Sequence, residues 1–187
     1  MPPVLDRLLA AFGLLVLSPI LLATAIWIKL DSPGPVIYRQ RRVGEGERQF
    51  EMLKLRTMKE GSDPVGVGTA VLHGDPRVTR SGRFLRRTSL DEIPNLVNVL
   101  RGQMALVGPR PALAAHVDHF ALAGHRRFDV LPGITGWAQV QGRAGIPWEE
   151  RVELDAWYAE HRSLRLDLRI LARTVWLVIS GQGLSPD

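Results

Sequence analysis

The sequence predicts an α+β protein in which an N-terminal membrane helix precedes a mostly helical globular domain with a small sheet. The stretch from Leu8 to Ile28 contains no charged residue and has about the length that spans a hydrocarbon layer. Two short segments further on are strand candidates, and apolar residues alternate with charged ones in the second of them; the last part of the chain repeats apolar residues at helical spacing. We therefore divide the chain into a membrane helix at residues 1–30 and a membrane-associated globular domain at residues 31–187.

Composition restricts the classes of function. A chain of 187 residues suits one domain, and the absence of cysteine excludes disulfides and thiolate metal sites. Lys and Arg outnumber Asp and Glu by 24 to 19, so the chain suits phosphates, anionic lipid or nucleic acid as partners. It contains neither a P-loop nor a dinucleotide fingerprint, which disfavours ATP and NAD folds.

Ser18 and Pro19 lie in the middle of the apolar segment. Proline removes a backbone donor and crowds the preceding turn, so the sequence predicts a bend there. Arg7 precedes the segment and Lys29 follows it, and positive charge marks the cytoplasmic side of a membrane helix. A re-entrant hairpin and a kinked spanning helix both remain open. A cleaved signal peptide is disfavoured, because Asp6 beside Arg7 makes a poor basic region.

A rigid connector at residues 31–35 leads into the globular domain. Strands are predicted from Val36 to Arg39 and from Phe50 to Leu55, with a turn between them at residues 44–47. Residues 61–75 are rich in glycine and predict a mobile loop.

Four helices are predicted in the second half of the chain. They run from Leu90 to Leu100 with a start near Asp91, from Leu113 to Phe128, from Trp148 to His161, and from Leu164 to Ser180. The last helix has an apolar stripe that includes Leu168 and Val175 beside Arg165, Arg169 and Arg173. Such a helix lies in a membrane interface, or it packs on the core with a solvated basic flank, and both interpretations stay open.

The adjacent carboxylates of Asp91 and Glu92 are the first candidates for chemistry. Taken alone, the segment from Ser89 to Glu92 is typical of a capping box, in which Ser89 and Glu92 bind free amides at a helix start. Five arginines occur in the eleven residues from Arg77 to Arg87, more than two carboxylates require. A phosphorylated substrate explains the surplus, because guanidinium groups match phosphate oxygens in geometry and charge. A carboxylate in such surroundings can accept a phosphoryl group.

Two further arginines lie on unusual backbone. Arg110 is held between two prolines in the segment 108–111, so its side chain loses less freedom when it binds an anion. Arg143 ends a glycine-punctuated segment that predicts a loop and a strand. Both segments also fit plain turns. His116 and His119 have a spacing that could bind a metal, but without a third ligand they are better interpreted as solvated helix residues.

Taken in order, these segments resemble the bacterial sugar transferase family, the monotopic phosphoglycosyl transferases that start glycan assembly on polyprenol phosphate. The resemblance covers nearly the whole chain. It rests on the ordered motifs Ser18-Pro19, Lys54-Leu55-Arg56-Thr57-Met58, Asp75-Pro76-Arg77, Gly82 to Glu92, Leu106 to Pro111 and Pro132 to Gly136. Leu55 stands where the family usually has phenylalanine, a departure that does not touch the charged residues.

The resemblance implies a ping-pong reaction. Asp91 would attack the sugar-bearing phosphate of a UDP-sugar, release UMP, and hold the phosphosugar until polyprenol phosphate accepts it. Glu92 would help Asp91 to position Mg²⁺, or would activate the acceptor. The substrate-binding residues that the resemblance implies are Lys54, Arg56, Arg86, Arg110, Arg143 and Asp167. It also implies a re-entrant helix broken at Ser18-Pro19, with the catalytic domain at the cytoplasmic face of the bacterial inner membrane, against anionic lipid headgroups.

The alternative classes are a membrane-tethered anion-binding or nucleic-acid-binding module and a scaffold without catalysis. Against nucleic acid, the sequence offers no base-stacking platform, and the Asp91-Glu92 pair would repel a polyanion. The intact pair also argues against a scaffold. The residues do not identify the sugar, although loops at 61–75 and 144–148 are expected to select it, and they do not distinguish a monomer from a homodimer. Larger family members add further membrane spans, so the resemblance implies that this chain is either the minimal catalytic unit or a catalytic core taken from a longer protein.

Overall fold

The computed structural model describes residues 1–62, 74–117, 122–142 and 146–180, and these residues confirm a mixed fold of helices and small sheets. One long N-terminal helix precedes a two-stranded antiparallel sheet, a two-stranded parallel sheet and several packed helices. Most of the two loops expected to select the sugar lies outside the described residues.

The apolar segment forms one helix, α1 (Pro3–Asp31). Among the described residues it is the one helix long and apolar enough to cross a membrane, with a mean hydropathy of 2.4 over a window that is only 11% buried. Ser18-Pro19 lies inside α1 without ending it. Pro19 has no N–H for the Leu15 carbonyl, and Ser18 Oγ donates to that oxygen instead, at 2.8 Å. The serine thus satisfies the acceptor that the proline leaves open, and α1 continues through this position.

Both ends of α1 pack against the globular domain. Near the start, Asp6 is buried and its Oδ1 accepts a hydrogen bond from the Leu106 amide at 3.1 Å. Near the end, Ile28 is 1% exposed and clusters with Leu55 and Leu85. The helix therefore lies along the domain and does not project from it.

The two predicted strands form a hairpin. β1 (Ile37–Val43) pairs antiparallel with β2 (Gln49–Leu55), in a register that sets Tyr38 opposite Lys54. A short 3-10 turn at Glu45–Glu47 joins the strands, and this confirms the predicted turn. Gly46 adopts the left-handed conformation, with φ of 60°, which glycine takes at little cost.

The arginine-rich segment, for which the sequence predicted no element, forms helix α2 (Arg80–Thr88). Thr79 begins it, because its side chain accepts a hydrogen bond from the Gly82 amide at 3.0 Å. Ser81 donates from both its amide and its hydroxyl to Asp31 Oδ2, each at 2.8 Å. These bonds fix the start of α2 to the end of α1.

The capping box predicted at residues 89–92 is wrong. Ser89 ends α2: its backbone is left-handed, with φ of 57°, and its amide donates to the Arg86 carbonyl. A 3-10 turn at Leu90–Glu92 follows without a side-chain cap, and the next helix, α3 (Asn95–Leu100), begins four residues later than predicted. The Glu92 carboxylate binds two cations and not the Ser89 amide, since charged partners stabilise a buried carboxylate more strongly.

Asn98 ties α3 to the hairpin. It is fully buried, its Oδ1 accepts from the Leu53 amide at 3.1 Å, and its Nδ2 donates to the Glu51 carbonyl at 2.7 Å and to Gln103 Oε1 at 2.9 Å. Because β2 carries Lys54 and the turn before α3 carries Glu92, this amide network holds those two segments side by side.

The second half departs from two predictions. The helix predicted at residues 113–128 appears, in its described parts, as the single turn α4 (Ala114–Val117) and a 3-10 helix at Leu122–Phe128. The loop and strand predicted at residues 132–143 become a short strand followed by a helix. β4 (Gly133–Thr135) pairs in parallel with β3 (Ala105–Val107), and α5 (Trp137–Gln141) follows. The chain leaves the sheet at Gly136, where a Cβ would lie only 2.2 Å from the Gly108 carbonyl oxygen.

The last two helices are confirmed at their predicted bounds, as α6 (Trp148–His161) and α7 (Leu164–Ser180). The buried face of α7 carries Asp167, Ile170 and Leu177. Leu168 and Val175, on the predicted apolar stripe, are 54% and 58% exposed. The stripe therefore faces the core only in part, at Leu171, and presents its other apolar side chains, such as Leu168 and Val175, to the surroundings.

Candidate active site

A cleft of about 260 Å³ opens where β2, α2, the turn before α3, the loop after β3, α5 and α6 meet. It is lined by Lys54, Arg86, Ser89, Asp91, Glu92, Arg110, Arg127, Ala138, Gln139, Trp148, Arg151 and Asp155. The fold thus brings together five predicted site residues, namely Lys54, Arg86, Asp91, Glu92 and Arg110.

Glu92 is bound to two cations in this cleft. Its Oε1 accepts a hydrogen bond from Lys54 Nζ at 2.8 Å and another from Arg110 Nη2 at 2.9 Å. Burial alone would raise the pKa of Glu92, but the charges of Arg110 and Lys54 outweigh it and hold the pKa well below its ordinary value. Glu92 is therefore ionised at neutral pH and anchors both cations.

Asp91 lies next to Glu92 in the chain but in a different environment. It is 9% exposed, and no described residue donates a hydrogen bond to its carboxylate. Burial raises the pKa of Asp91 above its ordinary value, although the Lys54 charge opposes the shift. The two carboxylates have pKa values displaced in opposite directions, a pattern typical of a division of chemical roles.

Arg86 and Ser89, from the end of α2, complete this wall of the cleft. Arg86 is half-buried, and within the described part of the chain no group accepts a hydrogen bond from its guanidinium. That guanidinium is available to an anion in the cleft. The left-handed backbone of Ser89 turns the chain out of α2 and into the segment that carries Asp91.

Close backbone contacts fix the loop that carries Arg110. The Pro109 carbonyl accepts from the Gly133 amide at 2.9 Å, and the Arg110 carbonyl accepts from Arg127 Nη2 at 2.7 Å. A Cβ on Gly133 would lie 2.0 Å from the Gly108 amide nitrogen, so only glycine permits this approach. The rigid backbone that the two prolines predicted for Arg110 is therefore supported by its neighbours as well.

The second wall consists of residues that the sequence did not single out. Arg127 and Asp155 form an ion pair at 2.7 Å, with side chains 4% and 5% exposed, and burial raises the pKa of Asp155 to about 6. Trp148, Gln139 and Arg151 lie beside them in the lining. One signal was available in the sequence: Asp155 occupies the apolar face of the predicted α6 helix, and a carboxylate in such a position indicates a buried partner.

Two described residues that were expected to bind substrate, Arg56 and Asp167, are not among those that line the cleft. Arg56 is 5% exposed, and its guanidinium donates to the Ser32 carbonyl at 2.8 Å, so it serves the carbonyls at the end of α1. Asp167 is 1% exposed, accepts from the Tyr158 hydroxyl at 2.6 Å, and pairs with the amino terminus beside a different cavity. Arg143 lies outside the described residues.

Within the described ranges, no group of three or more His, Cys, Asp or Glu could hold a metal ion. A divalent cation in the cleft would depend on Asp91, Glu92 and oxygens of a bound phosphate. Mg²⁺ commonly binds in this way, through one or two carboxylates and substrate phosphates. The unbonded Asp91 carboxylate fits such a ligand set. His119 is outside the described residues, and the His116 ring packs edge-on against Trp148 at 5.1 Å.

A buried, unbonded carboxylate beside Lys54, Arg86 and Arg110 defines a site suited to chemistry at phosphorus, because the cations can neutralise phosphate oxygens while the carboxylate attacks. The profile of the bacterial sugar transferase family matches residues 1–181. The chain therefore belongs to this family.

Individual relatives agree with that assignment. The chain is 47% identical over 180 residues to the UDP-glucose:undecaprenyl-phosphate glucose-1-phosphate transferase of Caulobacter vibrioides, a match that covers 92% of the chain and 67% of the relative. It is 45% identical over 182 residues to a protein of the same name from Xanthomonas campestris pv. campestris, covering 93% of the chain and 38% of the relative. The uncharacterized sugar transferase EpsL of Bacillus subtilis is 41% identical over 179 residues, a match that covers 96% of the chain and 87% of the relative. The chain thus spans 38% of the length of the Xanthomonas relative and most of the Bacillus one.

Arg86 and Arg56 provide a matched pair for testing the cleft. We expect Arg86→Gln to weaken the binding of pyrophosphate about tenfold, because one charge-assisted contact is lost, while the melting temperature stays the same. We expect Arg56→Gln to lower the melting temperature and to leave pyrophosphate affinity unchanged, because its contacts are with the end of α1. Isothermal titration calorimetry and thermal unfolding in detergent measure the two effects. Equal losses of affinity in both variants would contradict the placement of Arg56 outside the cleft.

Proposed function

We propose that this protein is a phosphoglycosyl transferase that moves a sugar 1-phosphate from a UDP-sugar to undecaprenyl phosphate, a polyprenol phosphate, and releases UMP. The names of the Caulobacter and Xanthomonas relatives describe such a transfer for glucose and so support the reaction class. The name of a further relative, the exopolysaccharide production protein ExoY, supports a place in glycoconjugate assembly.

The proposed reaction consists of two displacements at one phosphorus atom. In the first, an oxygen of Asp91 attacks the sugar-bearing phosphorus, the bond from that phosphorus to the bridging oxygen breaks, and UMP leaves with the electron pair. The phosphosugar is then esterified to Asp91 as an acyl phosphate. In the second, a phosphate oxygen of the acceptor lipid attacks the same phosphorus, and Asp91 leaves as a free carboxylate.

The observation that carries this proposal is the contrast between the adjacent carboxylates. Glu92 uses Oε1 to hold Lys54 and Arg110, whereas the Asp91 carboxylate has no hydrogen-bond donor among the described residues. A nucleophile needs free lone pairs, and cations already in place stabilise charge that develops on phosphate oxygens without reorganisation. Asp91 therefore suits the nucleophile, and Lys54, Arg86 and Arg110 suit the phosphate-binding cations.

Mg²⁺ is the cofactor that fits this arrangement, with Asp91 and Glu92 as its protein ligands. When bound, it would add positive charge to the diphosphate and help to orient it. Lys54 Nζ, only 2.8 Å from Glu92 Oε1, keeps that carboxylate ionised and oriented.

Mass spectrometry of the intact protein tests the nucleophile. After incubation with Mg²⁺ and a panel of UDP-sugars, we expect a mass increase of one phosphosugar and an equivalent of UMP. Asp91→Asn should give neither product, because an amide cannot form the acyl phosphate. Asp129→Asn, which removes an exposed carboxylate outside the cleft, is the control and should behave as the parent protein. UMP released undiminished by Asp91→Asn would remove Asp91 from this role, and a protein that releases no UMP with any UDP-sugar would be a binding or scaffold protein.

For the membrane helix, we propose a re-entrant path in which α1 enters and leaves by the cytoplasmic face of the bacterial inner membrane. Asp6 near its start binds the Leu106 amide, while Ile28 near its end packs in the core. Pro2 and Glu45, on either side of α1 in the chain, line one cavity. If α1 spanned the membrane, a hydrocarbon core of about 30 Å would separate its ends, and some of the contacts that its two ends make with the globular domain would lie in lipid. If both ends of α1 lie at the same face of the membrane, all of these contacts can form outside the hydrocarbon core.

Single cysteines can test this path, since the chain has none of its own. We expect Pro2→Cys and Glu45→Cys both to react with an impermeant maleimide only from the cytoplasmic side of inverted and right-side-out vesicles. Leu15→Cys, at an apolar position that is 73% exposed, should react from neither side because lipid covers it. Reaction of the first two cysteines from opposite sides would establish a spanning helix.

We also propose that anionic headgroups bind the outer face of α2. Arg80, Arg83 and Arg87 are exposed there around Phe84, whose ring lies 5.4 Å from that of Trp27 on α1. Both rings are about 40% exposed, so a basic and aromatic face continues the apolar surface of α1. Aromatic and cationic side chains together are typical of the interface between membrane and water.

Lipid-dependent stability can test this face. We expect phosphatidylglycerol added to detergent micelles to raise the melting temperature, because a lipid that binds the folded state stabilises it. Changing Arg80, Arg83 and Arg87 together to Gln should remove at least about half of that increase. A matched variant with Arg39, Arg41 and Arg48 changed to Gln should retain it, since those exposed arginines belong to the hairpin and not to the α2 face. Equal losses in both variants would indicate a response to net charge and not to the α2 face.

A further inference from the structure

We infer that the buried ion pair of Arg127 and Asp155 is a positioning device that sets the backbone of Arg110 and, through the Arg110 side chain, the orientation of Glu92. A single nitrogen, Arg127 Nη2, forms the ion pair with Asp155 Oδ2 at 2.7 Å and donates a hydrogen bond to the Arg110 carbonyl at 2.7 Å. Its consequence for catalysis rests on the proposed function. The contact itself does not.

The pair joins separate elements in one chain of polar contacts. Asp155 belongs to α6, Arg127 to the 3-10 helix before β4, and Arg110 to the loop after β3. From that loop the Arg110 guanidinium reaches Glu92 Oε1 at 2.9 Å, where it meets Lys54 from β2. A displacement of α6 or of Arg127 therefore moves a cation that borders Asp91.

Arg127 is poorly placed to bind a substrate phosphate itself. Its side chain is 4% exposed, and the Asp155 carboxylate 2.7 Å away offsets its charge and would repel a second anion. Its guanidinium also lies about 6 Å from the ring centres of Phe128 and Trp148, which restrict its movement. The guanidinium is thus held between a carboxylate, a main-chain carbonyl and two aromatic rings.

Stability alone does not account for the pair. Two charges removed from water lose their hydration, and apolar residues of similar volume often stabilise a fold equally well or better. What apolar residues cannot supply is a donor for the Arg110 carbonyl. The adjacent Pro111 carbonyl also accepts from a guanidinium, that of Arg42, at 3.2 Å. Two arginines therefore hold consecutive carbonyls of the segment whose side chain enters the cleft.

A double substitution separates positioning from stability. Arg127→Met combined with Asp155→Leu removes both charges together and fills the space with apolar side chains, so we expect the fold and its melting temperature to be retained. The Arg110 carbonyl loses its donor. We expect faster amide hydrogen exchange in residues 108–112, measured by mass spectrometry without any substrate. Thr24→Val, which removes a hydroxyl that donates to the Ile20 carbonyl within α1 at 2.9 Å, is the control and should leave that segment unchanged.

The catalytic effect is measured as the rate of phosphosugar adduct formation. We expect the double variant to slow the reaction on the order of 10²-fold, the loss that a misplacement of about 1 Å can cause. When Arg110 is already replaced by Ala, the same two substitutions should lower the rate of adduct formation less than about threefold, because the side chain that Arg127 and Asp155 position is already absent. Its effect should be on the maximal rate more than on the KM for the UDP-sugar.

The outcomes are distinct. The positioning role would be overturned if the losses of reaction rate caused by the double variant and by Arg110→Ala were additive. It would also be overturned if amide hydrogen exchange in residues 108–112 did not change in the double variant. If the double variant does not fold, Asp155→Asn replaces it in the same cycle with Arg110→Ala, and additivity there is equally decisive. A parent protein that forms no adduct would contradict the proposed function, whereas the exchange experiment would still decide the positioning of Arg110.

Discussion

The shared contact of Lys54 and Arg110 with Glu92 Oε1 is the interaction on which the rest of the site depends. Two carboxylates adjacent in the chain and both largely buried repel each other, so their coexistence requires positive charge close by. The structure assigns that charge to one of them. Because Glu92 holds both cations at 2.8 and 2.9 Å, Asp91 is left without a hydrogen bond in a basic environment. Glu92 orders the electrostatics, and Asp91 keeps free the lone pairs that the proposed nucleophile requires.

Much of the fold can be understood as support for that contact. The Asn98 amide network fixes α3 to β2, and the glycine contact between the two parallel strands brings the Arg110 loop against its neighbours. On the membrane side, Ser81 attaches the start of α2 to Asp31 at the end of α1. Since α2 has only nine residues, about 13 Å at 1.5 Å per residue, the end of the apolar helix and the cleft are close together. In the proposed reaction, this short distance would bring a lipid phosphate at the membrane surface near the cations that bind it.

The parts of this structure that local pattern decides could be predicted, and the parts that distant contacts decide could not. Periodicity alone gave the bounds of α6 and α7 and the positions of the hairpin strands. The capping box failed because Glu92 meets Lys54, which is 38 residues away, and a charged partner at that distance is invisible to a local motif. In the sequence, Arg56 and Arg86 are equally plausible as phosphate-binding residues. In the structure, Arg56 donates to a carbonyl at the end of α1, whereas Arg86 lines the cleft. Asp155 lies between these cases: its position on the apolar face of α6 indicates a buried partner, but the identity of that partner, Arg127 in another element, cannot be read from local pattern.

The same arrangement favours two successive displacements over direct transfer between bound substrates. Direct transfer would require two anionic substrates to be held together, and the charges of both would have to be neutralised at once. In this cleft, Lys54, Arg86 and Arg110 surround the unbonded carboxylate of Asp91. The ion pair with Glu92 already neutralises part of their positive charge. If Asp91 carries the phosphosugar between steps, the donor leaves as UMP before the acceptor arrives, and a single set of cations serves both reactions. In the proposed mechanism, the covalent step is thus favoured by the limited positive charge in a small cleft as much as by the reactivity of Asp91.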